Sequence, residues 1–269
     1  MLYIYPFLSL LGLCGCPVYG ATAKERNITS HYRFNVNQGR VKRLLIPTGC
    51  SLIDRFLEGG LSAGKTTLLY GEAETGKTTL AIQCSVNTAR MGYKTIFVDS
   101  DGAFTPERLA QIARRDLNEI SEEIILFRPL SFKEQGSIID HLREYLTERF
   151  GLIVVDSVTS LYRRELKGDE GVFPLNRELN RQVATLRELS KEAGIPILLT
   201  SQVRSVPTPE GGDIAPVATR VLMFWSDYVI HLRRTMRRGL ISAALEKPKG
   251  RIVECRLIIV EDGIRDYGR

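Results

Sequence analysis

The sequence predicts an α/β fold: a mostly parallel, twisted sheet flanked by helices, with antiparallel strands at its C-terminal end. Three observations lead to this fold class. Short apolar runs alternate with helical segments between residues 51 and 201, which is the pattern of β-α-β units. A glycine-rich phosphate motif lies between the first of these strands and its helix. From residue 227 onward the apolar runs follow one another without a long helix, which indicates antiparallel pairing.

The first half of the domain shows strand–helix alternation with clear boundaries. Gly59 and Gly60 end an initial helical segment, and Gly92 ends the amphipathic helix that follows the phosphate motif. Pro106 suits the first turn of another helix. The predicted elements are a helix over Ser51–Glu58, a strand over Thr66–Tyr70, a helix over Lys77–Arg90, a strand over Lys94–Asp99 and a helix over Pro106–Arg115.

The second half continues the alternation and then changes. The runs LIVVD and IPILLTS are almost purely aliphatic, as expected for parallel strands covered on both faces. The predicted elements are a strand over Ile124–Phe127, a helix over Phe132–Phe150, a strand over Leu152–Asp156, a helix over Leu175–Ala193 and a strand over Ile195–Ser201, followed by strands over Asp227–Leu232, Leu240–Glu246 and Ile252–Val260.

Composition and charge are those of an ordinary globular protein. The chain has 269 residues, of which 43% are hydrophobic and 25% are charged, so it is neither disordered nor fibrous. A net charge of +6 would usually indicate an acidic partner such as nucleic acid. However, the charge is about +5 over residues 1–50, about −4 over residues 51–228 and about +5 over residues 229–269. The basic excess therefore lies in the two end segments.

Cysteine and histidine usage indicates a reducing compartment without a metal cluster. The cysteines are odd in number and irregularly spaced, so a disulfide framework is not expected. They are Cys14, Cys16, Cys50, Cys84 and Cys255. The three histidines, His31, His141 and His231, are scattered, and we expect them at the surface or at helix caps rather than in catalysis.

Residues 1–43 are predicted to be an N-terminal extension, and residues 44–269 the globular domain. An apolar run over residues 2–13, followed by ATA at residues 21–23, resembles a secretory signal, but no positive charge precedes it. The run is too short to span a bilayer. Three interpretations stay open: a start codon assigned too far upstream, which is preferred because the globular pattern begins near Val41–Leu45; a disordered extension; and an export signal, the least favoured.

The strongest functional signal is a phosphate-binding loop. The segment GEAETGKT matches G-x-x-x-x-G-K-[ST] and comprises Gly71, Glu72, Ala73, Glu74, Thr75, Gly76, Lys77 and Thr78, with Thr79 following. Its backbone N–H groups and the positive end of the next helix suit phosphates. Lys77 is expected to reach the β- and γ-phosphates of ATP, and the Thr78 hydroxyl to ligate Mg²⁺. Because ATP is not available outside the cytoplasm, we expect a cytoplasmic protein.

A second match to the same pattern, GGLSAGKT over Gly59–Thr66, is interpreted as a turn. The motif works only between a strand and a helix. The upstream copy follows a helical segment and leads into a strand, which is the wrong order, whereas the copy beginning at Gly71 has the right one.

Polar residues end three of the predicted strands. Asp156, after LIVV, is expected to hold the water shell of Mg²⁺ as a Walker B carboxylate. In the triplet Asp99-Ser100-Asp101 a carboxylate could polarise an attacking water, or an aspartate could cap the helix that starts at Pro106. Gln202 suits sensing of the γ-phosphate, or it is an ordinary polar residue at a strand end.

Two long predicted loops, Leu161–Phe173 and Val203–Val217, follow strand ends on the same edge of the sheet. Loops of this length are uncommon in compact domains unless they are functional. Basic loops suit a phosphate backbone, so DNA contact is preferred over plain solvated loops. The basic residues considered are Arg163, Arg164 and Lys167 in the first loop and Arg204 in the second.

The order and spacing of the motifs resemble those of the RecA/RadA recombinase superfamily. The matching segments run from about residue 45 to the C-terminus: IPTGC, LEGG, TLLYGEAETGKTTLAIQ, KTIFVDSDGAFTPERL, LIVVDSVTSLYR and LLTSQV. Within the superfamily the chain is most similar to RadB, a group of short archaeal RadA paralogues. No helix-hairpin-helix domain precedes the core, and the segments VLMFWSDYVIHLRR and EDGIRD resemble their RadB counterparts.

The resemblance implies a RecA-like P-loop ATPase core with roles for matching positions. Lys77, Thr78, Asp156 and Gln202 would keep the roles given above. Asp101 stands where the family usually has a catalytic glutamate, and Arg108 of the PERL segment would lie near the adenine. Arg163 and the two loops would face DNA. Lys247 and Lys249 would reach ATP across a subunit interface.

The resemblance also implies a function in DNA repair and homologous recombination. Asp101 is one methylene shorter than glutamate, and a loss of near-attack geometry can cost on the order of 100-fold in rate. This predicts weak ATP hydrolysis in an accessory or regulator of recombination rather than in the main strand-exchange enzyme. The expected partners are single-stranded or branched DNA, a RadA-type recombinase and a Holliday-junction nuclease, with a possible homo-oligomer and no membrane.

Two other functions stay open at this point. A KaiC-like signalling ATPase shares the IPTG…GG and P-loop pattern, but that family typically has paired glutamates where this chain has Asp99-Ser100-Asp101. An interaction module could bind ATP without turnover. A P-loop GTPase is disfavoured because no N-K-x-D guanine motif is present.

Overall fold

The structure is a computed structural model that describes residues 44–166, 172–208, 211–248 and 253–268. The side chains of residues 204–208, 211–216 and 253 are not described. The N-terminal extension expected over residues 1–43 therefore lies outside the described residues, as do Lys167, Lys249 and the side chain of Arg204.

Thirteen strands and eight α-helices are found in the described part of the chain. The strands are β1 (Leu45–Ile46), β2 (Leu61–Ser62), β3 (Thr66–Gly71), β4 (Lys94–Asp99), β5 (Ile124–Phe127), β6 (Phe150–Asp156), β7 (Ile197–Ser201), β8 (Val203–Thr208), β9 (Gly211–Pro216), β10 (Tyr228–Arg234), β11 (Leu240–Lys247), β12 (Val253–Val260) and β13 (Gly263–Asp266). The helices are α1 (Ser51–Phe56), α2 (Lys77–Arg90), α3 (Pro106–Ala113), α4 (Leu117–Glu122), α5 (Phe132–Tyr145), α6 (Ser160–Glu165), α7 (Val172–Ala193) and α8 (Thr219–Trp225).

Nine of these strands form one mixed sheet in the order β13-β12-β11-β10-β3-β7-β6-β4-β5. The pairs from β10 to β5 are parallel, and those from β10 to β13 are antiparallel. The predicted fold class is therefore confirmed. Because β3, β4, β6, β7 and β10 are mutually parallel, their carboxyl ends meet at one edge of the sheet, where ligands of open α/β sheets bind.

Side chains of the central strands alternate between two hydrophobic cores. Leu152 and Val154 face the core that packs against α1 to α4, and Ile153 and Val155 face the core that packs against α5 to α8. Strand β6 is buried along its whole length. This explains its almost purely aliphatic sequence, since both faces of a parallel strand are covered.

Several sequence expectations were wrong in detail. The helix predicted to reach Phe150 ends at Tyr145, because Leu146 is extended and the aromatic Phe150 begins β6. The predicted loop 161–173 is helical at both described ends, over α6 and from Val172 onward. The predicted loop 203–217 is an antiparallel hairpin of β8 and β9. The helix α8 within VLMFWSDYVIHLRR had not been expected.

One of the described histidines also departs from expectation. His231 is fully buried rather than at the surface, because its ring stacks on Tyr70 with centroids 4.2 Å apart. His141 is exposed, as expected. Within the described ranges no helix combines the length and the apolar character needed to cross a membrane.

Candidate phosphate-binding site

The phosphate loop leads from the carboxyl end of β3 into α2. Gly76 has φ +86°, a left-handed conformation that favours glycine, and helix α2 begins at the next residue, Lys77. The Thr75 hydroxyl closes the turn by donating to the Glu72 carbonyl at 2.8 Å. This strand–loop–helix order is what phosphate binding requires.

Lys77 is held inside the loop. Its ammonium group donates to the carbonyls of Gly71 and Glu72 at 2.9 and 2.6 Å, and the residue is 7% exposed. Burial lowers the pKa of Lys77 to about 8, partly offset by the negative charges of Asp156 and Asp101. A phosphate group at this position would favour the charged form again, so the lysine suits an anionic ligand.

Asp156 is buried at the end of β6, beside the loop. Burial raises its pKa to about 6, and the nearby hydroxyls of Thr200 and Thr78 act in the opposite direction. Thr200 donates to Oδ1 of the carboxylate. Its other oxygen, Oδ2, is buried and has no hydrogen-bond partner among the described residues. A buried carboxylate oxygen without a partner is costly unless a ligand satisfies it.

The residues present fit Mg²⁺. The Thr78 hydroxyl and the unsatisfied Oδ2 of Asp156 are both hard oxygen donors, the kind that Mg²⁺ prefers. No group of three or more His, Cys, Asp or Glu side chains that could hold a metal occurs among the described residues. Mg²⁺ commonly takes one or two protein oxygens and completes its shell with phosphate and water.

Asp99 and Asp101 have different surroundings. Asp99 is buried and accepts hydrogen bonds from the backbone of Ala103 and Phe104, with Arg128 3.2 Å away, so it supports the loop after β4. It does not cap α3, because the side chain of Thr105 does so. Asp101 is exposed, and its charge acts on Lys77 and Asp156. Of the two carboxylates, Asp101 is therefore the exposed one.

Gln202 lies at the base of the β8–β9 hairpin. It follows β7, and its carbonyl oxygen accepts a hydrogen bond from the Val217 amide at 3.0 Å, where the hairpin returns. Thr200, two residues earlier, binds Asp156. Gln202 thus connects the strand end that binds Asp156 to the hairpin.

Arg108 connects α3 to the start of α2 and to the C-terminal strands. Its guanidinium donates to the Glu261 carbonyl at 2.5 Å, to the Val260 carbonyl at 3.2 Å and to the Thr79 hydroxyl at 3.4 Å. A cleft of about 480 Å³ adjoins it. The cleft is lined by Ala110, Gln111, Arg114, Val260, Glu261, Asp262 and Arg265.

The residues predicted to contact DNA or a second subunit are only partly described. Arg163 and Arg164 are exposed on α6, directly after the segment that follows Asp156. Lys247 donates to the carbonyls of Met223 and Ser226 at 2.9 and 2.5 Å, so its ammonium group is bound at the end of α8. Its reach across a subunit interface stays a prediction.

The upstream motif lies at the opposite edge of the sheet. Lys65 is 3.4 Å from the Asp227 carboxylate, and the Thr66 amide donates to the same carboxylate at 2.9 Å. Strand β3 rather than a helix follows, as the sequence pattern predicted.

The sequence alone assigned no role to two residues near the site. Thr200 was part of a polar strand end, and only the β6–β7 pairing brings it to Asp156. Arg234 ends β10 and donates to the Ala73 carbonyl in the phosphate loop. The run RRTMRR shows that this segment is positively charged, but only the pairing of β10 with β3 places it beside the phosphate loop.

Known proteins resemble this chain in sequence and fold. A family model described as Rad51 matches residues 39–267. The DNA repair and recombination protein RadB of Methanococcoides burtonii is 33% identical over 221 residues, which cover 81% of this chain and 96% of that protein. RadB of Thermococcus onnurineus is 37% identical over 229 residues, covering 82% and 97%. A crystal structure of the RadB recombinase matches with a TM-score of 0.72 and 32% identity, covering 83% of this chain and 100% of that one.

Proposed function

This chain belongs to the Rad51 family and, within it, to the RadB group, and on that premise we propose that it binds ATP and DNA and assists homologous recombination with only weak ATP hydrolysis. The family favours this function over a KaiC-like signalling ATPase. The relatives are named as DNA repair and recombination proteins. The accessory role is our inference from Asp101, which is shorter than the glutamate usual in the superfamily.

The observation that carries the proposal is the grouping at the carboxyl edge of the sheet. The buried ammonium of Lys77, the Thr78 hydroxyl and the unsatisfied Oδ2 of Asp156 converge at the phosphate loop. When bound, Mg²⁺ would neutralise charge on the β- and γ-phosphates. Lys77 would bind the phosphates, Thr78 and Asp156 would hold the ion, and Asp101 would orient the attacking water from its exposed position.

Gln202 and the residues near DNA complete the proposal. Gln202 would sense the γ-phosphate and pass its presence to the β8–β9 hairpin, since its carbonyl binds the residue where that hairpin returns. Arg163, Arg164, Lys167 and Arg204 would contact DNA phosphates, and Arg108 would lie near the adenine. The free, buried thiols of Cys50, Cys84 and Cys255 support a reducing, cytoplasmic location. A RadA-type recombinase and a Holliday-junction nuclease are the proposed protein partners.

The decisive experiment measures ATP turnover by the full chain with and without single-stranded DNA, and ADP binding in parallel. We expect ADP binding that is lost in Lys77→Ala, and slow turnover that DNA changes little. Strong stimulation by DNA would instead indicate an active recombinase-type motor. ADP binding unaffected by Lys77→Ala would contradict the assigned phosphate site.

A further inference from the structure

The phosphate loop rests against the end of strand β10. Gly71 pairs with Leu232 in the parallel β3–β10 ladder. A Cβ atom at Gly71 would lie 2.2 Å from the Leu232 carbonyl oxygen, so the two backbones approach as closely as glycine allows. The first residue of the loop is therefore fixed relative to β10.

Arg234, at the end of the same strand, reaches the apex of the loop. Its Nε and Nη2 atoms donate to the Ala73 carbonyl at 2.9 and 2.7 Å, and Nη2 lies 3.1 Å from a carboxylate oxygen of Glu74. Glu74 has φ +63°, a left-handed conformation that is unfavourable for a residue other than glycine. A contact from outside the loop would help to keep this conformation, and Arg234 makes such a contact.

We propose that Arg234 is a positioning residue for the phosphate loop; this inference rests on the proposed ATP-binding function. In such a loop the backbone N–H groups face the phosphates. By binding the Ala73 carbonyl, Arg234 fixes the orientation of the peptide unit between Ala73 and Glu74, and with it the N–H group of Glu74. The arginine thus prepares the loop for the β-phosphate without touching the nucleotide.

The contact with the backbone matters more than the ion pair. The Glu74 side chain is 85% exposed and that of Arg234 is 49% exposed, and ion pairs in water contribute little. Two parallel donors on one carbonyl oxygen instead use the planar fork of the guanidinium, which lysine lacks. Arginine and lysine should therefore differ at this position.

The test compares Arg234→Gln, Arg234→Lys and Arg237→Gln for binding of ADP and AMP, in competition with a fluorescent ADP analogue. Arg237 lies in the turn after β10 and donates to the Tyr267 hydroxyl at 2.8 Å, so its variant removes one positive charge without a contact to the loop.

We expect Arg234→Gln to weaken ADP binding on the order of tenfold, the effect of losing about one charge-assisted hydrogen bond. AMP lacks the β-phosphate, so its affinity should stay unchanged. Arg234→Lys should recover only part of the loss, and Arg237→Gln should resemble the wild type.

Other results would overturn the inference. Equal losses for ADP and AMP would indicate a general effect on the fold, and full recovery in Arg234→Lys would indicate charge alone. Unchanged ADP affinity in Arg234→Gln would show that the loop needs no such contact. If the wild type itself bound no ADP, or bound it independently of Lys77, the proposed function would fail first, so the two failures can be told apart.

Discussion

Thr200 and Asp156, at the ends of the neighbouring parallel strands β7 and β6, are joined by a hydrogen bond from the threonine hydroxyl to Oδ1 of the carboxylate. The bond lowers the pKa of Asp156 against the effect of burial. It also leaves Oδ2 as the oxygen without a partner. Thr200 therefore both favours the ionised carboxylate and, by occupying Oδ1, leaves Oδ2 as the atom that would face Mg²⁺.

Replacing Thr200 by valine should weaken Mg²⁺ binding. Valine has the same shape but no hydroxyl, so the pKa of Asp156 should rise above about 6 and Mg²⁺ must displace a proton at neutral pH. We expect the factor by which Mg²⁺ strengthens ADP binding to fall several-fold at pH 6.5 and by less at pH 8. Thr200→Ser keeps the hydroxyl and serves as the control. An equal loss of Mg²⁺-dependent ADP binding at both pH values would argue against this role of Thr200.

The raised pKa of Asp156 also predicts a pH dependence of stability without Mg²⁺. The folded state prefers the protonated acid, so this contribution to the free energy of unfolding is complete below pH 3.8 and is lost as the pH rises through about 6. A pKa raised from 3.8 to about 6 corresponds to a free energy on the order of 3 kcal/mol. Asp156→Asn cannot ionise and should be more stable than the wild type above pH 6.

Urea unfolding of both proteins between pH 4.5 and pH 8 would measure this difference. Other groups titrate in both proteins, so the quantity of interest is the variant minus the wild type at each pH. Asp116→Asn, at an exposed aspartate paired with Arg90, is the matched control and should show no such trend. A flat difference for Asp156→Asn would show that the carboxylate is ionised in both states over this range.

The sequence was most informative where a local pattern determines structure. Lys77 and Asp156 were found because a glycine-rich loop and an aliphatic strand with an acidic end are local signals. Thr200 and Arg234 act across strand pairs, and their contacts depend on the order of strands in the sheet. The β8–β9 hairpin was mistaken for a loop because Pro207 and the glycines after it are typical of turns. His231 was expected at the surface because polarity alone does not show stacking on Tyr70.

Lengthening Asp101 to glutamate should speed ATP hydrolysis. Asp101 is exposed, and its charge acts on both Lys77 and Asp156, so an extra methylene would bring its carboxylate closer to the attacking water. We expect turnover to rise, by at most about 100-fold. The measurement is single-turnover hydrolysis at saturating ATP, with Asp116→Glu as a control for the same substitution elsewhere. No increase in Asp101→Glu would contradict the explanation of slow turnover by side-chain length.

Removing the two arginines of α6 should reduce the salt dependence of DNA binding. Arg163 and Arg164 are exposed at the carboxyl edge of the sheet, the edge that also holds the phosphate loop. Each lost phosphate contact lowers the slope of log affinity against log salt by about 0.7 for single strands. For the double variant Arg163→Gln/Arg164→Gln the magnitude of the slope should therefore fall by about 1.4. This variant should also bind DNA more weakly at every salt concentration.

The matched control changes two arginines at the opposite edge of the sheet. Arg143 pairs with Glu192 near the end of α5, and Arg149 lies 3.4 Å from Glu123 just before β6. The double variant Arg143→Gln/Arg149→Gln removes the same net charge but should leave the slope unchanged, because these side chains are far from the proposed DNA path. Fluorescence anisotropy of labelled single-stranded DNA over a salt series would compare the two variants. Equal slopes in both would mean that only the overall charge of the protein matters, and that α6 does not contact the DNA backbone.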